Sequence, residues 1–362
     1  MYHTPNLTGI KKWLIPHRFN EGWGLQHMKL YGFDDEIILS GANLSHDYFS
    51  NRQDRYIMFK SLVLSNYYFK VHQTISSLSY DVVPTPGKPG GFTLQWKRPV
   101  TVPEPLQDPV GFKQSASLML EKLLKPAQNP PEPIEQSMDG NDRMSRAFVY
   151  PISQFSQLLD PDTSTEFNVL FRVLSMLSTN KFNWTFTAGY FNIHPQFKKK
   201  LINTKPEYAE VITAAPEANG FYKSPGASGL LPGAYSLLAQ KFLKSVKFHD
   251  SKIKMYEWKH GIVNTPHGWS YHAKGLWASL QDLPPCLTVI GSSNYTRRAY
   301  SHDLETNALL VTNDAKLQSQ LKDEVLNLKT HCSEMELKDY DRPDRKPDWR
   351  QKLFVRYMGD KL

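Results

Sequence analysis

The feature of this sequence that most constrains its fold is a set of four polar residue types that occurs twice in the same order. In each copy a lysine lies two residues after a histidine, and a carboxylate lies eleven residues after an asparagine that ends a strand-like run. The first copy is His27, Lys29, Asn43 and Asp54, and the second is His272, Lys274, Asn294 and Glu305. A single H-x-K triplet arises readily by chance, but two such sets indicate two halves that share one site.

These residue types predict phosphate chemistry. In a strand, the His and Lys of an H-x-K triplet project to the same face and can reach one ligand. Lysine provides positive charge for phosphate oxygens, asparagine provides a neutral donor, and histidine acts as nucleophile or general acid/base near neutral pH. Two copies facing one another would surround a single phosphorus atom. We expect no metal ion, because two lysines supply the charge and the set lacks a convincing cluster of metal ligands.

Length and composition fit a folded chain with two domains. The 362 residues exceed the roughly 250 to 300 at which single cores stop growing, and no run approaches the roughly 18 apolar residues of a membrane span. The net charge of +8 favours an anionic partner such as phosphate, nucleic acid or an acidic membrane surface, without choosing among them. Two cysteines, Cys286 and Cys332, are too few for a disulfide framework and indicate a reducing compartment.

A proline-rich segment divides the chain unequally. Eleven of the 25 prolines lie between Asp81 and Ser145, which predicts a linker or surface insertion with at most short elements, such as a helix at SASLMLEKLLK. We therefore expect four regions: part of a first lobe over 1–80, the insertion over 81–146, a second lobe over 147–332 and a charged surface tail over 333–362.

Hydrophobic periodicity predicts an α/β architecture. Helical spacing predicts helices at 62–78, 164–180, 231–248 and 315–331. Apolar runs predict strands at 34–45, 54–61, 286–294 and 304–312, and a strand that runs into a loop over 182–192.

Other polar residues predict ordinary roles. His46 and Asp47 fit a turn or a helix cap, and the lysines at 198–200 fit a solvated face, although an anionic membrane surface would also attract them. Residues 190–192 are expected to lie in the core and in a turn. The alternative is that they line the wall of a substrate-binding site.

The two copies of the repeat resemble the motifs of a known protein superfamily. HMKLYGFD with SGANLS, and HAKG with GSSNYTRR, resemble the two HKD motifs of the phospholipase D superfamily. Further blocks scattered over residues 2–311 resemble the eukaryotic mitochondrial phosphatidylglycerophosphate synthase family, among them YHTPNL, LIPHRFNEGWGLQHMKLY, TAGYFN, PEANGFY and PCLTVIGSSNYTRR.

The resemblance implies a fold and a reaction. The fold would have two phospholipase D-like α/β/α lobes related by a pseudo-twofold axis. The reaction would move the phosphatidyl group from CDP-diacylglycerol to sn-glycerol 3-phosphate, releasing CMP, without a cofactor, as the committed step towards phosphatidylglycerol and cardiolipin. One histidine, which we take to be His27, would attack phosphorus and form a phosphatidyl-histidine. The other, His272, would protonate CMP and then deprotonate the acceptor hydroxyl.

The resemblance also implies roles for the remaining motif residues. The phosphoryl oxygens would be held by Lys29, Lys274, Asn43 and Asn294, and Asp34 would complete the catalytic motif by supporting its loop. Each carboxylate would orient the histidine of the opposite lobe, Glu305 with His27 and Asp54 with His272. The implied location is peripheral, on the matrix side of the mitochondrial inner membrane, in contact with anionic lipid and without a nucleic acid partner.

Two departures from the family pattern stand out. The position seven residues after His272 is Ser279 rather than aspartate. Far fewer residues precede His27 than separate the insertion from His272, and no presequence is visible. We therefore expect an incomplete first lobe, with an exposed sheet edge or apolar face beside residues 27–43, and a weak catalyst.

Two alternatives stay open. A phospholipase D-type phosphodiesterase or nuclease would use the same site with water as acceptor. An inactive, N-terminally truncated form would serve only as a partner. Dependence of CMP release on glycerol 3-phosphate separates transfer from hydrolysis.

Overall fold

The computed structural model describes residues 1–15, 17–125, 145–179, 182–204 and 206–362, with the backbone alone for 17–19 and 179. The last prolines of the predicted insertion, from Pro126 to Pro133, lie outside these residues. Helices alternate with strands along the chain, and the predicted α/β class is confirmed.

The N-terminal third is built on a small antiparallel sheet. Its elements are α1 (Gly9–Leu14), β1 (Leu30–Phe33), β2 (Glu36–Ser40), α2 (His46–Ser50), β3 (Arg52–Gln53), β4 (Tyr56–Lys60), α3 (Leu62–Ser77), β5 (Asp81–Pro84), β6 (Phe92–Gln95) and α4 (Pro109–Leu124). The sheet has the order β1-β2-β4, and β5 pairs with β6 in a separate hairpin. Alternation in β2 buries Ile37 and Leu39 against the helices, as period-2 patterning requires.

The proline-rich segment contributes more structure than the sequence predicts. Helix α4 has 16 residues, begins with Pro109 at its first turn and is capped by the side chain of Asp108. Its buried face, with Phe112, Ala116 and Leu120, belongs to the same core cluster as α3. Pro109 starts the helix and the other prolines lie before or after it in the sequence, which is why their density does not prevent a long helix.

The first sheet has two edges in the described residues. Strands β1 and β4 each pair on one side only, and Phe33 at the end of β1 is 78% exposed. Met58 of β4 is also exposed. The predicted exposed edge beside residues 27–43 is confirmed.

The remainder of the chain forms an eight-stranded mixed sheet with helices on both faces. Its elements are β7 (Ala147–Gln154), α5 (Glu166–Thr179), β8 (Phe182–Ala188), α6 (Pro195–Ile202), β9 (Ala209–Ala214), α7 (Leu231–Phe248), β10 (Ile253–Trp258), β11 (Ser270–Tyr271), β12 (Lys274–Leu280), β13 (Leu287–Gly291), α8 (Arg297–Ser301), β14 (Glu305–Thr312), α9 (Ala315–Lys329), β15 (Cys332–Glu334) and α10 (Trp349–Met358). The strand order of the sheet is β15-β10-β9-β8-β12-β13-β14-β7, and β11 is not part of it but pairs with β3.

Two core clusters cover this sheet. One contains the apolar faces of α5, α6 and α7, and the other contains α9 with Trp258 and Trp277. The strands at the centre are buried along most of their length because both of their faces are covered. No helix in the described part of the chain is long and apolar enough to span a bilayer.

The C-terminal residues are packed rather than extended. Strand β15 adds to the sheet beside β10, and Tyr340 is fully buried. Helix α10 packs on α7 through Val355. The prediction of a surface tail over 333–362 is therefore wrong. Charged residues dominate this part of the sequence, but single apolar residues between them enter the core.

Candidate active site

Two hydrogen bonds of the same kind join the halves of the repeat. The backbone N–H of His27 donates to the carbonyl of Leu304 (2.9 Å), and that of His272 donates to the carbonyl of Gln53 (2.8 Å). Each acceptor immediately precedes the carboxylate of its own half. Both connections run parallel, as a bridge at Leu304 and as the pairing of β11 with β3. Each half therefore holds the histidine segment of the other.

This pairing sets each histidine ring against a carboxylate. Nδ1 of His27 lies 2.8 Å from Oε1 of Glu305, and Nδ1 of His272 lies 2.7 Å from Oδ2 of Asp54. Both carboxylates are buried. A carboxylate accepts a hydrogen bond, so each Nδ1 carries the proton and each Nε2 keeps its lone pair. The predicted pairing of Glu305 with His27 and of Asp54 with His272 is confirmed.

The second oxygen of each carboxylate is also held. The hydroxyl of Ser292 donates to Oε2 of Glu305. The backbone N–H of Arg55 donates to Oδ1 of Asp54 at 2.8 Å. Such outer contacts fix the carboxylates, and through them the orientation of the two imidazole rings.

Both lysines are buried next to the histidines of their own triplets. Nζ of Lys29 donates to the carbonyl oxygen of His27. Nζ of Lys274 lies 2.9 Å from Nδ1 and 3.1 Å from Nε2 of His272. The H-x-K spacing thus brings a cation within contact distance of each histidine residue.

Burial dominates the titration of these four groups. It lowers the pKa of His27 to about 4, and with help from Lys274 it lowers the pKa of His272 to about 3. It also lowers the pKa of Lys29 to about 7 and that of Lys274 to about 8. At neutral pH both imidazoles are therefore uncharged, and their Nε2 atoms are available to bind phosphorus or a proton.

The carboxylates connect the two halves electrostatically. Burial acts to raise the pKa of Asp54 and of Glu305, but the neighbouring histidines and lysines outweigh it and lower both values. In turn, both carboxylates act to raise the pKa of Lys29 and of Lys274. The repeat therefore forms one cluster of charges rather than two separate sites.

The other motif residues occupy different environments. Asn294 is half-buried, and its Oδ1 has no hydrogen-bond partner among the described residues. Asn43 is exposed, and its Nδ2 lies 3.4 Å from Oη of Tyr48.

The structure does not bring Asp34 to the cluster. It is exposed in the turn between β1 and β2, with φ 52°. Aspartate tolerates this left-handed conformation, so the turn accounts for the residue. The equivalent position, Ser279, lies inside β12, opposite Asn183, where there is no turn to support. The loss of aspartate from the second motif follows from that difference.

Two motif glycines allow close approaches to the site. A Cβ at Gly41 would lie 2.8 Å from Nζ of Lys274 and 3.0 Å from Oδ1 of Asp54. A Cβ at Gly275 would lie 2.0 Å from Nη1 of Arg55. A side chain at Gly41 would displace charged groups of the cluster, and a side chain at Gly275 would displace the guanidinium of Arg55 behind it.

Sequence reasoning missed Arg55, which lies buried behind the second lysine. Its guanidinium donates to both carboxylate oxygens of Glu324 (2.8 and 2.9 Å) and to the carbonyl of Lys274 (3.1 Å). It also lies 3.8 Å from the ring centroid of Trp277. Through these contacts Arg55 fixes the backbone at Lys274, the first residue of β12. The only signal in the sequence is its position next to Asp54.

Two tyrosines and an arginine form a wall beside His272. The rings of Tyr48 and Tyr190 meet the imidazole edge-on, at 5.3 and 5.5 Å between centroids. The guanidinium of Arg52 lies 4.3 Å from the Tyr48 centroid. For Tyr190, the structure favours the alternative of a wall residue over a purely internal position.

Apart from Tyr190, the residues expected to have ordinary roles are not part of this cluster. His46 and Asp47 begin the exposed helix α2, and Lys199 is exposed on α6. Within the described ranges, no three His, Cys, Asp or Glu side chains are grouped as metal ligands would be.

Several curated proteins are similar to the whole chain. The CDP-diacylglycerol–glycerol-3-phosphate 3-phosphatidyltransferase of Saccharomyces cerevisiae is 48% identical over 375 residues, which cover all of this chain and 70% of the relative. The enzyme of that name from Schizosaccharomyces pombe is 41% identical over 369 residues, covering 92% of this chain and 71% of the relative. The human mitochondrial one is 29% identical over 378 residues, covering 99% and 64%.

Among solved structures, phosphatidylserine synthase from Haemophilus influenzae superposes with a TM-score of 0.63 at 20% identity, over 94% of this chain and 71% of its own. This likeness concerns the fold alone, and the predicted α/β fold is confirmed. No protein-family model matches the chain. The identities to the yeast enzymes decide the family, and this chain belongs to the CDP-diacylglycerol–glycerol-3-phosphate 3-phosphatidyltransferases.

Proposed function

We propose that the two His–carboxylate pairs catalyse transfer of a phosphatidyl group from CDP-diacylglycerol to sn-glycerol 3-phosphate, giving phosphatidylglycerophosphate and CMP. The observation that carries this proposal is the pairing of each Nδ1 with a buried carboxylate of the other half, which leaves two Nε2 atoms in one lysine-lined cluster. Relatives of this chain are named for the same transfer.

In the first step, Nε2 of His27 attacks the phosphorus that carries diacylglycerol. A P–N bond forms and the bond to the bridging oxygen of CMP breaks. The proton on Nδ1 stays with His27, where Glu305 balances the positive charge of the substituted ring. His272 donates a proton from its Nε2 to the departing CMP. His272 takes up this proton from solvent when the negative diphosphate binds, because a nearby anion raises the pKa of His272.

In the second step, the now neutral His272 accepts the proton of the glycerol 3-phosphate hydroxyl. The hydroxyl oxygen attacks phosphorus, and the P–N bond to His27 breaks. Both histidines return to their starting protonation states. The assignment of His27 as nucleophile is supported by its Nε2, which has no hydrogen-bond partner in the described residues, whereas Nε2 of His272 contacts Lys274.

Lysine and asparagine side chains stabilise the phosphoryl oxygens in this scheme. Lys29 and Lys274 are buried, and exclusion of water strengthens the attraction of their charged forms for developing negative charge. Asn294 supplies a neutral donor beside them, and Asn43 supplies another from the exposed side. No protein-bound metal or organic cofactor enters either step.

Arg52 is a candidate for the phosphate of the acceptor. Its Nε donates to Oγ of Ser270 at 2.8 Å, and its charge acts to lower the pKa of His272 and Lys274. A Cβ at Gly220 would lie 3.3 Å from Oη of Tyr190 and 3.6 Å from Nη2 of Arg52, so both groups line one wall. A planar guanidinium binds a phosphate through two parallel hydrogen bonds.

The division into lobes belongs to the proposal as well. Residues 1–80 and 147–332 each contribute one histidine, one lysine and one carboxylate, joined by the insertion over 81–146 and followed by the tail over 333–362. The reciprocal backbone hydrogen bonds at His27 and His272 support two halves of one catalytic unit.

The substrate and the names of the relatives support a proposed location. Vertebrate relatives of this chain are named mitochondrial, which supports the mitochondrion. We further propose a peripheral position on the matrix side of the inner membrane, with anionic lipid as contact and without nucleic acid as a partner, because CDP-diacylglycerol is a membrane lipid and the chain carries a net charge of +8.

Acceptor dependence tests the proposed function. The purified chain is incubated with CDP-diacylglycerol in detergent micelles, with and without labelled glycerol 3-phosphate, and both CMP and lipid-extractable label are measured. We expect equal amounts of both, and neither when His27→Ala replaces the chain. CMP released without acceptor, together with phosphatidic acid, would identify a hydrolase, and no release under any condition would identify an inactive form.

A further inference from the structure

Helix α10 exposes an apolar stripe on its outer surface. Trp349 is 69% exposed, Leu353 46% and Tyr357 71%. These residues are spaced four apart, so they lie one above another along the same side of the helix. The opposite side packs on α7 through Val355. The helix is therefore anchored on one side and unpartnered on the other.

Cations flank this stripe on both sides. At 100° per residue, Arg350 lies beyond Tyr357 on one flank, while Lys352 and Arg356 lie on the other. The helix itself, WRQKLFVRYM, contains no acidic residue. An apolar stripe with Trp and Tyr between rows of Lys and Arg is the pattern of a helix that lies in a membrane interface.

A basic cavity opens beside the same helix. It has a volume of about 330 Å³ between α7, α10 and the segment before α10, and one acidic residue, Asp341, lies among its lining groups. Four lysines line it, none of which forms an ion pair in the described residues: Lys241, Lys244, Lys346 and Lys352. Lys352 belongs both to this cavity and to the flank of the stripe, so the positive charge is continuous from one to the other.

The end of α10 is hydrogen-bonded to the loop that follows β8, next to the catalytic cluster. Nδ2 of Asn192 donates to the carbonyl of Gly359 (2.7 Å) and to that of Leu362 (3.3 Å). Asn192 lies two residues after Tyr190, whose ring contacts His272. A surface bound by α10 would therefore lie close to the site of phosphatidyl transfer.

We propose that α10 is an interfacial helix that seats this chain on an anionic phospholipid bilayer. Trp349, Leu353 and Tyr357 enter the boundary between headgroups and acyl chains, and the flanking cations and the cavity lysines contact lipid phosphates. We expect a membrane rather than a protein at this surface for two reasons. Aromatic side chains match the acyl-chain side of the boundary and the cations beside them match the headgroup side. The net positive charge of the chain also complements anionic headgroups. The inference rests on the proposed function only in that its substrate is a membrane lipid.

Vesicle flotation tests this surface without catalysis. The full chain is mixed with phosphatidylcholine vesicles, or with the same vesicles containing phosphatidylglycerol, and the bound fraction is measured. We expect binding to the anionic vesicles that falls with added salt. The charge variant Arg350→Glu/Arg356→Glu should reduce it at least about tenfold, and Trp349→Ala/Leu353→Ala/Tyr357→Ala should reduce it by a similar factor.

Matched controls separate the helix from general surface properties. Lys316→Glu/Lys322→Glu makes the same charge change on the exposed side of α9, and Phe248→Ala removes an 85% exposed aromatic residue at the end of α7. Both controls should bind like the unchanged chain. Equal losses in the α9 control would mean that net charge alone drives binding and would overturn the proposal.

Two further readouts keep the test decisive. Thermal unfolding of each variant checks the fold, and the single change Trp349→Ala replaces the triple variant if that variant is destabilised. Transfer activity on short-chain, water-soluble CDP-diacylglycerol should be unchanged in the α10 variants, whereas activity on the lipid in vesicles should fall. Unchanged vesicle binding together with loss of self-association in the stripe variant would show that a second copy of the chain covers α10, and the proposal would be wrong.

Discussion

Nδ1 of His27 lies 2.8 Å from Oε1 of Glu305, although 278 residues separate the two in sequence. The same relationship joins His272 to Asp54 at 2.7 Å, over 218 residues. Neither half of the repeat contains a complete pair, because each histidine takes its carboxylate from the other half. Catalysis by either histidine therefore depends on correct association of both halves.

The carboxylates should control turnover more than binding. Glu305→Gln removes the anionic partner of the His27 ring, and Asp54→Asn removes that of the His272 ring. In each variant we expect kcat to fall by about 100-fold with little change in KM. Steady-state kinetics on the folded variants measures both. Asp34→Asn is the matched control, since Asp34 is exposed in a turn. A loss in Asp34→Asn as large as that in Glu305→Gln would contradict the assignment.

The pH profile of kcat/KM for glycerol 3-phosphate, which reports the second step, should be bell-shaped. In that step His272 must be unprotonated to accept the hydroxyl proton, so activity should rise as the pH passes its pKa of about 3. Lys29 must be protonated to attract phosphate, so activity should fall as the pH passes its pKa of about 7. In Lys29→Arg the alkaline limb should move towards the pKa of Lys274, about 8, because arginine keeps its charge.

Lys60→Arg is the control for that experiment, because Lys60 is exposed on β4 and distant in sequence from the motif lysines. Its profile should match that of the unchanged chain. An alkaline limb that stays in place in Lys29→Arg would show that Lys29 is not the group that titrates there.

Arg52 should affect the acceptor selectively. Lysine lacks the planar fork that binds a phosphate through two hydrogen bonds, so Arg52→Lys should raise the KM for glycerol 3-phosphate by about tenfold or more. The KM for CDP-diacylglycerol should change little when each substrate is varied separately. Arg172→Lys, on the exposed side of α5, is the control. Equal changes in both KM values would place Arg52 elsewhere in the mechanism.

Much of the cluster is predictable from the spacing of the repeat. His, Lys, Asn and carboxylate occur in the same order in both halves, and this order by itself indicates a shared site. The crossed pairing of His27 with Glu305 follows from family resemblance rather than from spacing, because no local pattern states which half holds which partner. The helices over 62–78, 231–248 and 315–331 are predictable because their apolar residues recur with helical spacing.

The residues that sequence reasoning missed depend on contacts between distant segments. Arg55 lies behind β12 only because its side chain reaches Glu324 and the carbonyl of Lys274, more than 200 residues away. The length of helix α4 is hard to predict because proline density conceals a helix that starts at a proline. The sequence of the tail suggests a surface extension because its many charges outnumber residues such as Tyr340 that enter the core.

The central claim is that a phosphatidyl group passes through Nε2 of His27, and the intermediate itself tests it most directly. CDP-diacylglycerol labelled at the phosphate next to diacylglycerol is mixed with the chain without acceptor, quenched and digested, and the labelled peptide is identified. Label should be found on His27, disappear when glycerol 3-phosphate is added before quenching, and be absent from His27→Ala. Label on His272, or labelling that persists in His27→Ala and is lost in His272→Ala, would contradict the account.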